Sequence, residues 1–505
     1  MPVDRLVPSW YARVDVRAGE PGDAEAIGLP VRAGGPVPGA VGADLFALEK
    51  GGFSPTVGAA LAVPHDDGPA IVVLGVGMPD GLTAAIVRRA GAAFARAVPH
   101  DGRLAVAVPS GPGVTAGEAA AALVEGVLLA RHRFDLRSAP VSADPAPVTS
   151  LVLVPGAGDE AAVAAGARRG LVTARAALLS RDLAACPAAM LTSEAMADVA
   201  LEVGTDAGLE VEATDRAGLA ALGCGGLLGV NRGSAREPRM VRLTYAPPGE
   251  PAGHLGLVGK GITYDAGGIS LKASDEAHSQ MKNDMTGAGA VLAAMAALPA
   301  LGCRAHVTGW LMCTDNMPSG AALQLGDVLT TRGGTTVEVL DSDAEGRLVM
   351  SDALVLAVEA GMDAIVDIAT LTGACLRALG TDVAGVMGNS PAVVGAVRAA
   401  GERADEPVWE LPLVPSYRAL LASPIADMRN VGGPHAGAIT AGLFLEHFVS
   451  GTPWAHVDIA GTAQAAWPSG WVNAGPTGFG ARLLVELATA FEAGSLGGRP
   501  RGSAG

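Results

Sequence analysis

Short apolar runs with strand composition alternate with longer Ala-rich segments of helical spacing along most of this chain, and that alternation leaves few folds open. A strand that pairs in parallel with its neighbour needs a crossover, usually helical, so the pattern predicts an α/β architecture. In the first 137 residues, strand candidates at 70–74 and 104–108 alternate with helical candidates at 83–98 and 116–131. Residues 138–150 are rich in Pro, Ser and Ala and read as a surface connection; 151–154 reads as one more strand. An Ala-rich helix from about 159 to 183 follows. From about 185 the alternation resumes, with strands at 255–258, 306–311, 337–340, 364–368 and 455–459 and helices at 287–298, 346–360 and 438–449. At 505 residues the chain exceeds what one core usually serves. The expected organisation is a smaller N-terminal α/β domain over 1–160, a linking helix over 161–184 and a larger C-terminal α/β domain over 185–493 with a mixed central sheet flanked by helices. A Gly/Ser/Arg-rich tail over 494–505 is expected to be disordered.

Charge narrows the partners. With 35 basic and 51 acidic residues the formal net charge is −16, which argues against nucleic acid or an anionic membrane as the main partner. The five cysteines (Cys186, Cys224, Cys303, Cys313, Cys375) are scattered and form no CxxC pair, so a reducing compartment, by default the cytoplasm, is expected. The first residues show no basic region followed by an apolar core, so no signal peptide is read there. The nearly apolar segment 287–303 contains Pro299 and reads as a buried helix and turn, not as a membrane span.

Two charged clusters stand out. The segment Asp341-Ser-Asp343-Ala-Glu345-Gly-Arg347 follows the strand-like run 335–340, and strand ends in α/β proteins are common places for chemistry. About 80 residues upstream lie Lys260, Asp265, Lys272 and Asp284. Carboxylates gathered from two such places suggest a metal site, and a two-metal one, since a pair of ions needs a carboxylate able to bridge them. Gly267, Gly268, Gly287 and Gly346 beside them let backbone come close. From the residues alone, acidic loops in an acidic protein and ordinary lysine ion pairs remain open readings. No H-E-x-x-H and no G-x-S-x-G is present, which removes two common hydrolase types.

Asp341–Leu348 resembles the N-T-D-A-E-G-R-L signature of the leucyl aminopeptidase family, the cytosol aminopeptidases of peptidase family M17. Val258–Lys272 is similar to the family's V-G-K-G-x-T-F-D-x-G-G-x-x-x-K, and Met281–Met285 to its M-K-x-D-M. Asn316–Gly320, Ala369–Ala374, Trp454–Gly461 and Thr477–Gly480 also have family counterparts. The resemblance is dense from about 181 to 487 and weaker upstream. It implies a dinuclear-metal peptidase domain in which Asp265 and Glu345 bridge two ions, Zn²⁺ or Mn²⁺. Lys260 and Asp284 would complete the tighter site and Asp343 the more exchangeable one. It further implies that Lys272 stabilises developing negative charge and that Arg347 holds a bicarbonate. Met281, Thr370, Leu371 and Gly373 would meet the substrate, with leucine and other apolar N-terminal residues preferred. The family's assembly implies a homohexamer of two stacked trimers acting on peptides.

The stretch between Lys272 and Asp284 is one residue longer than in common family members, and the chain departs from the family pattern at three single positions besides. Asp341 stands where the family usually has Asn, Ser342 where it has Thr, and Pro476 where it has a small residue. Asn can donate a hydrogen bond, whereas an ionised Asp only accepts. The competing functional readings are a different dinuclear metal hydrolase, such as a phosphatase, and a non-catalytic binding role.

Overall fold

Two large mixed sheets organise the chain. The structure, a computed structural model, describes residues 2–63, 68–139 and 141–496. The chain divides into two compact units, one of Ser9–Leu178 with Ala465–Gly475, the other of Leu179–Gln464 with Met1–Pro8 and Pro476–Gly505. The expected bounds of 1–160, 161–184 and 185–493 are contiguous in sequence, whereas these units are not. The helix Glu160–Ala185 contributes to both units, and residues 465–475 belong with the N-terminal one. There Arg96 binds the carbonyls of Gly470 and Val472 and the side chain of Asn473, which ties that late segment to early sequence. The expected tail lies outside the described residues from 497 onward, and 494–496 belong to the 3-10 helix Ala493–Leu496.

The N-terminal unit holds a six-stranded sheet in the order Asp15–Ala18, Ser150–Val154, Arg103–Ala107, Ala26–Val31, Ala70–Gly75, Ala60–Val63. All neighbours are parallel except the last pair. Helices Ala84–Ala97 and Ala116–Ala130 pack closely on each other. Thr83 caps the first, and a Thr115/Glu118 capping box starts the second.

In the second unit the order is Val408–Glu410, Ala384–Gly388, Trp454–Asp458, Ala364–Ala369, His254–Asp265, His306–Asn316, Arg239–Tyr245, Glu210–Thr214. The four central strands, Trp454–Asp458 through His306–Asn316, run parallel, and antiparallel pairs flank them. This is the mixed, helix-flanked sheet that the alternation predicts. Val258 and Ile262 pack with Leu348 and Ala353 of helix Gly346–Glu359. Gly259, which the pleat points to the opposite face, meets Ala288 of helix Thr286–Leu301. That helix lies in Met281–Leu301, a stretch long and apolar enough to cross a membrane by composition, but 83% of its apolar window is buried inside the protein.

One strand sits elsewhere than expected. Thr336–Glu338 lies not in the central sheet but in a three-stranded one with Val328–Thr330 and Met428–Arg429. Its residues pair with Val328–Thr330 on one side and with Met428–Arg429 on the other, and Leu340 is partly exposed at the end of the run. The acidic segment is therefore delivered by a small satellite sheet.

Candidate active site

Parallel strands open at their carboxyl ends, and four side chains mark those ends here. Asp265 closes its strand, and Asn316 closes the neighbouring one in direct register with it. Thr370 follows the strand Ala364–Ala369, and Asp458 ends the next. Crevices at such ends are where open α/β sheets usually bind ligands.

Into this crevice come two further carboxylates on helix approaches. Asp284 precedes helix Thr286–Leu301, and Glu345 occupies the residue before helix Gly346–Glu359. A helix N-terminus carries partial positive charge, which favours an acid in that position. Oxygen atoms of Asp265, Asp284 and Glu345 lie within 4.8 Å of one another, and all three residues are buried. Lys260, also buried, places Nζ 2.8 Å from Asp284 Oδ2 and 2.8 Å from Glu345 Oε1, and donates to the Thr370 carbonyl at 2.9 Å. Gly346 makes room for it: a Cβ there would lie 2.6 Å from Lys260 Cε. Lys272 Nζ lies 2.8 Å from Asp265 Oδ2 and 2.5 Å from Asp343 Oδ1. Gly267, at φ +87°, turns the chain between Asp265 and Lys272, and a Cβ there would approach Asp343 Oδ1 to 2.8 Å.

Four carboxylates thus face two ammonium groups. Burial raises Asp265 and Asp284 above the usual carboxylate range, and burial with the charge of Asp265 pushes Asp343 up to about 7. Burial opposes ionisation of Glu345 too, but Lys260 and Lys272 outweigh it and hold that carboxyl low. Burial likewise disfavours both ammonium groups, yet the acids around them outweigh it and keep both lysines protonated. The cluster is acid-rich and under-compensated. Asp284 Oδ2 lies near Lys260 without the alignment of a hydrogen bond. A donor set of this kind, hard oxygens with one amine, has the chemistry of a divalent-cation site.

Arg347 is buried nearby. Its guanidinium donates to the Asn430 carbonyl at 2.8 Å, while Nε has no partner among the described residues. Burial lowers its pKa to about 10, with Glu345, Asp458 and Asp341 opposing that shift. Asp341 is half-buried, and its Oδ1 accepts the Asp343 N–H at 2.9 Å.

The pocket candidates divide. Thr370 joins the charged cluster directly, donating its hydroxyl to Asp284 Oδ1 at 2.7 Å. Met281 is half-buried and opens the 3-10 turn Met281–Asn283 that leads to Asp284. Leu371 is half-buried with its N–H toward Asp458, and Gly373 is exposed at the start of helix Gly373–Leu379.

Three polar residues of the cluster escape selection from sequence. Asn316 Nδ2 donates to Asp265 Oδ1 at 2.9 Å and to the Ser342 carbonyl at 3.0 Å, and lies 3.4 Å from Glu345 Oε2. Asn430 supports Arg347 and donates to the Asp341 carbonyl at 2.6 Å. Asp458 holds the turn after Thr370. Asn316 and Asp458 sit inside the family-like motifs, which was the available signal; Asn430 has none.

An acid-rich, lysine-containing cluster at the strand ends of a mixed α/β sheet is the arrangement of a metal-assisted hydrolase. The sequence matches the cytosol aminopeptidase family over residues 178–485 for its catalytic domain and 45–139 for its N-terminal domain. The chain belongs to the cytosol aminopeptidase family, and is thereby a hydrolase of the aminopeptidase class. A probable cytosol aminopeptidase of Streptomyces coelicolor is 41% identical over 507 residues, spanning 94% of this chain and 97% of that relative. One of Chlorobaculum tepidum is 44% identical over 380 residues, spanning 73% and 75%. Among solved structures, the bottromycin maturation enzyme BotP in complex with Mn is similar, with a TM-score of 0.84 and 40% identity over 92% of this chain and 99% of that one.

Proposed function

We propose that this protein is an aminopeptidase that releases N-terminal amino acids from peptides, leucine and other apolar residues preferred, with two divalent ions per subunit, Mn²⁺ or Zn²⁺. The observation that carries it is the convergence of Asp265, Asp284, Asp343 and Glu345 on Lys260 and Lys272, with too few cations to balance them. Asp265 and Glu345 would bridge the two ions, Lys260 and Asp284 would complete one site, and Asp343 the other. The complex of BotP with Mn supports manganese as one of the candidates. When bound, such ions supply a water activated near neutral pH and polarise the peptide carbonyl.

The chain's own residues do the remaining work. Lys272 keeps its positive charge and is partly exposed, so it can face a substrate oxygen on which negative charge builds. Arg347, buried and with no partner for its Nε among the described residues, suits a small anion such as bicarbonate, which would hold the proton that leaves the attacking water. Met281, Thr370 and Gly373 would border the N-terminal side chain of the substrate, and a backbone contact from Leu371 would come through its carbonyl. Domain roles follow the same reading, with 185–493 catalytic, 1–160 an N-terminal domain and 161–184 the linker. A homohexamer acting in the cytoplasm on peptides completes the proposal.

The test is a panel of aminoacyl p-nitroanilides, with leucine included, beside a matched N-acetylated peptide and a phosphate ester. Release from free-amine substrates that chelator abolishes, with the blocked peptide resistant, is expected. Faster turnover of the phosphate ester than of any peptide would favour the phosphatase-like alternative.

A further inference from the structure

Asp458 is fully buried at the end of strand Trp454–Asp458, in register with Ala369 on the neighbouring parallel strand. Its Oδ1 accepts backbone N–H groups from Leu371 at 3.3 Å, Thr372 at 3.4 Å and Ala460 at 3.1 Å, and its Oδ2 accepts the Thr372 hydroxyl at 2.7 Å. Hydrogen bonds to a charged acceptor are stronger than neutral ones, and a buried acceptor left unsatisfied is costly, so the turn is fixed where these donors meet the carboxylate. Thr372 Oγ1 also accepts the Cys375 N–H at 3.0 Å, which caps helix Gly373–Leu379 and anchors the far side of the turn. Thr370, just before the residues so held, directs its carbonyl to Lys260 at 2.9 Å and its hydroxyl to Asp284 at 2.7 Å. The chain of contacts runs from Asp458 through the turn to two of the residues proposed to bind metal.

We propose that Asp458 is a positioning residue for the metal site: it locks the turn 370–372 so that Thr370 holds Lys260 and Asp284 in the orientation that receives an ion. This rests on the reading of the site given under Proposed function. Asp458 never touches the ion or the substrate in this role. Its charge also favours the Arg347 cation, a second effect of the same carboxylate on the site.

The experiment uses the full-length chain, stripped of metal, and measures Mn²⁺ binding by isothermal titration together with kcat and KM. Residues standing behind metal ligands typically contribute about 10–100-fold to metal affinity or activity. Asp458→Asn and Thr372→Val are therefore expected to weaken Mn²⁺ binding by roughly that factor and to lower kcat with KM little changed. Thr372→Ser, which keeps the hydroxyl, is expected to behave as wild type. If Asp458→Asn does not fold, the Thr372 pair carries the same comparison. Variants that melt earlier yet bind Mn²⁺ and turn over as the wild type does would overturn the positioning role alone. A wild type that binds no Mn²⁺ would overturn the reading of the site, and the positioning role with it.

Discussion

Lys260 Nζ lies 2.8 Å from Glu345 Oε1, and both side chains are almost wholly buried. Burial disfavours the ammonium, but Asp284, Glu345 and Asp265 outweigh it, so the metal-free protein carries a protonated Lys260. An amine binds a metal only when neutral, so loading the site must expel that proton. Mn²⁺ affinity is therefore expected to rise with pH from roughly pH 6 to pH 8, with net proton release visible as a buffer-dependent heat in calorimetry. Uptake without proton release would mean that Lys260 stays out of the coordination shell.

Lys272 bridges Asp265 and Asp343 but keeps part of its surface open. Lys272→Met is expected to lower kcat by about 10²–10³, the usual effect of losing one donor to a developing oxyanion. Steady-state kinetics checks it; a change confined to KM would place Lys272 in ground-state binding instead.

Asp341 adds a carboxylate where the family signature has Asn, yet its side chain accepts the Asp343 N–H, a bond that an Asn carbonyl oxygen could also accept. Asp341→Asn thus isolates the charge. Exposed charge pairs contribute about 0.2–1 kcal/mol, so kcat/KM toward peptides with an acidic second residue is expected to rise by up to about fivefold. Neutral peptides should be unaffected. Identical profiles for the two proteins across a peptide panel would make the substitution inert.

Asp352, within helix Gly346–Glu359, is buried and accepts N–H groups from Leu227 at 2.9 Å and Arg332 at 2.8 Å. Burial still dominates and pushes its carboxyl up to about 7. A folded-state pKa above the unfolded one means that the folded chain binds the extra proton between the two values. Its stabilising contribution is complete below about 4 and is lost as pH rises to about 7. The stability of the wild type relative to Asp352→Asn should therefore fall across that window, read as a narrowing or reversing difference in Tm. A constant difference would show that Asp352 does not titrate there.

The motif residues were legible because their chemistry is local in sequence. The Gly-Arg pair after Glu345, the Lys260-to-Lys272 spacing and the Asp341 departure all appear as strings. Asn430 was not legible: it supports Arg347 and Asp341, more than 80 residues away, and acquires that role only when Met428–Arg429 pairs with Thr336–Glu338. The strand Ala26–Val31 was missed because Gly28 and Pro30 argue against a central strand. Packing explains both. A Cβ at position 28 would come within 3.0 Å of Leu74 and Val106 side chains, and Pro30 lies beyond the Ala26–Gly28 segment that pairs with Arg103–Ala107. The run 335–340 misled in the other direction, since its strand composition placed the acidic loop on the central sheet when it belongs to a satellite.

The most direct measurement is a Mn²⁺ titration of the metal-stripped chain, with bound metal and release of leucine from leucine p-nitroanilide followed together. Two ions per chain are expected, with activity absent at the start and appearing as the sites fill. Hydrolysis by the stripped protein, or a fully loaded and folded protein that hydrolyses no aminoacyl substrate, would contradict the assignment of Lys260, Asp265, Asp284, Asp343 and Glu345 as the metal centre of an aminopeptidase.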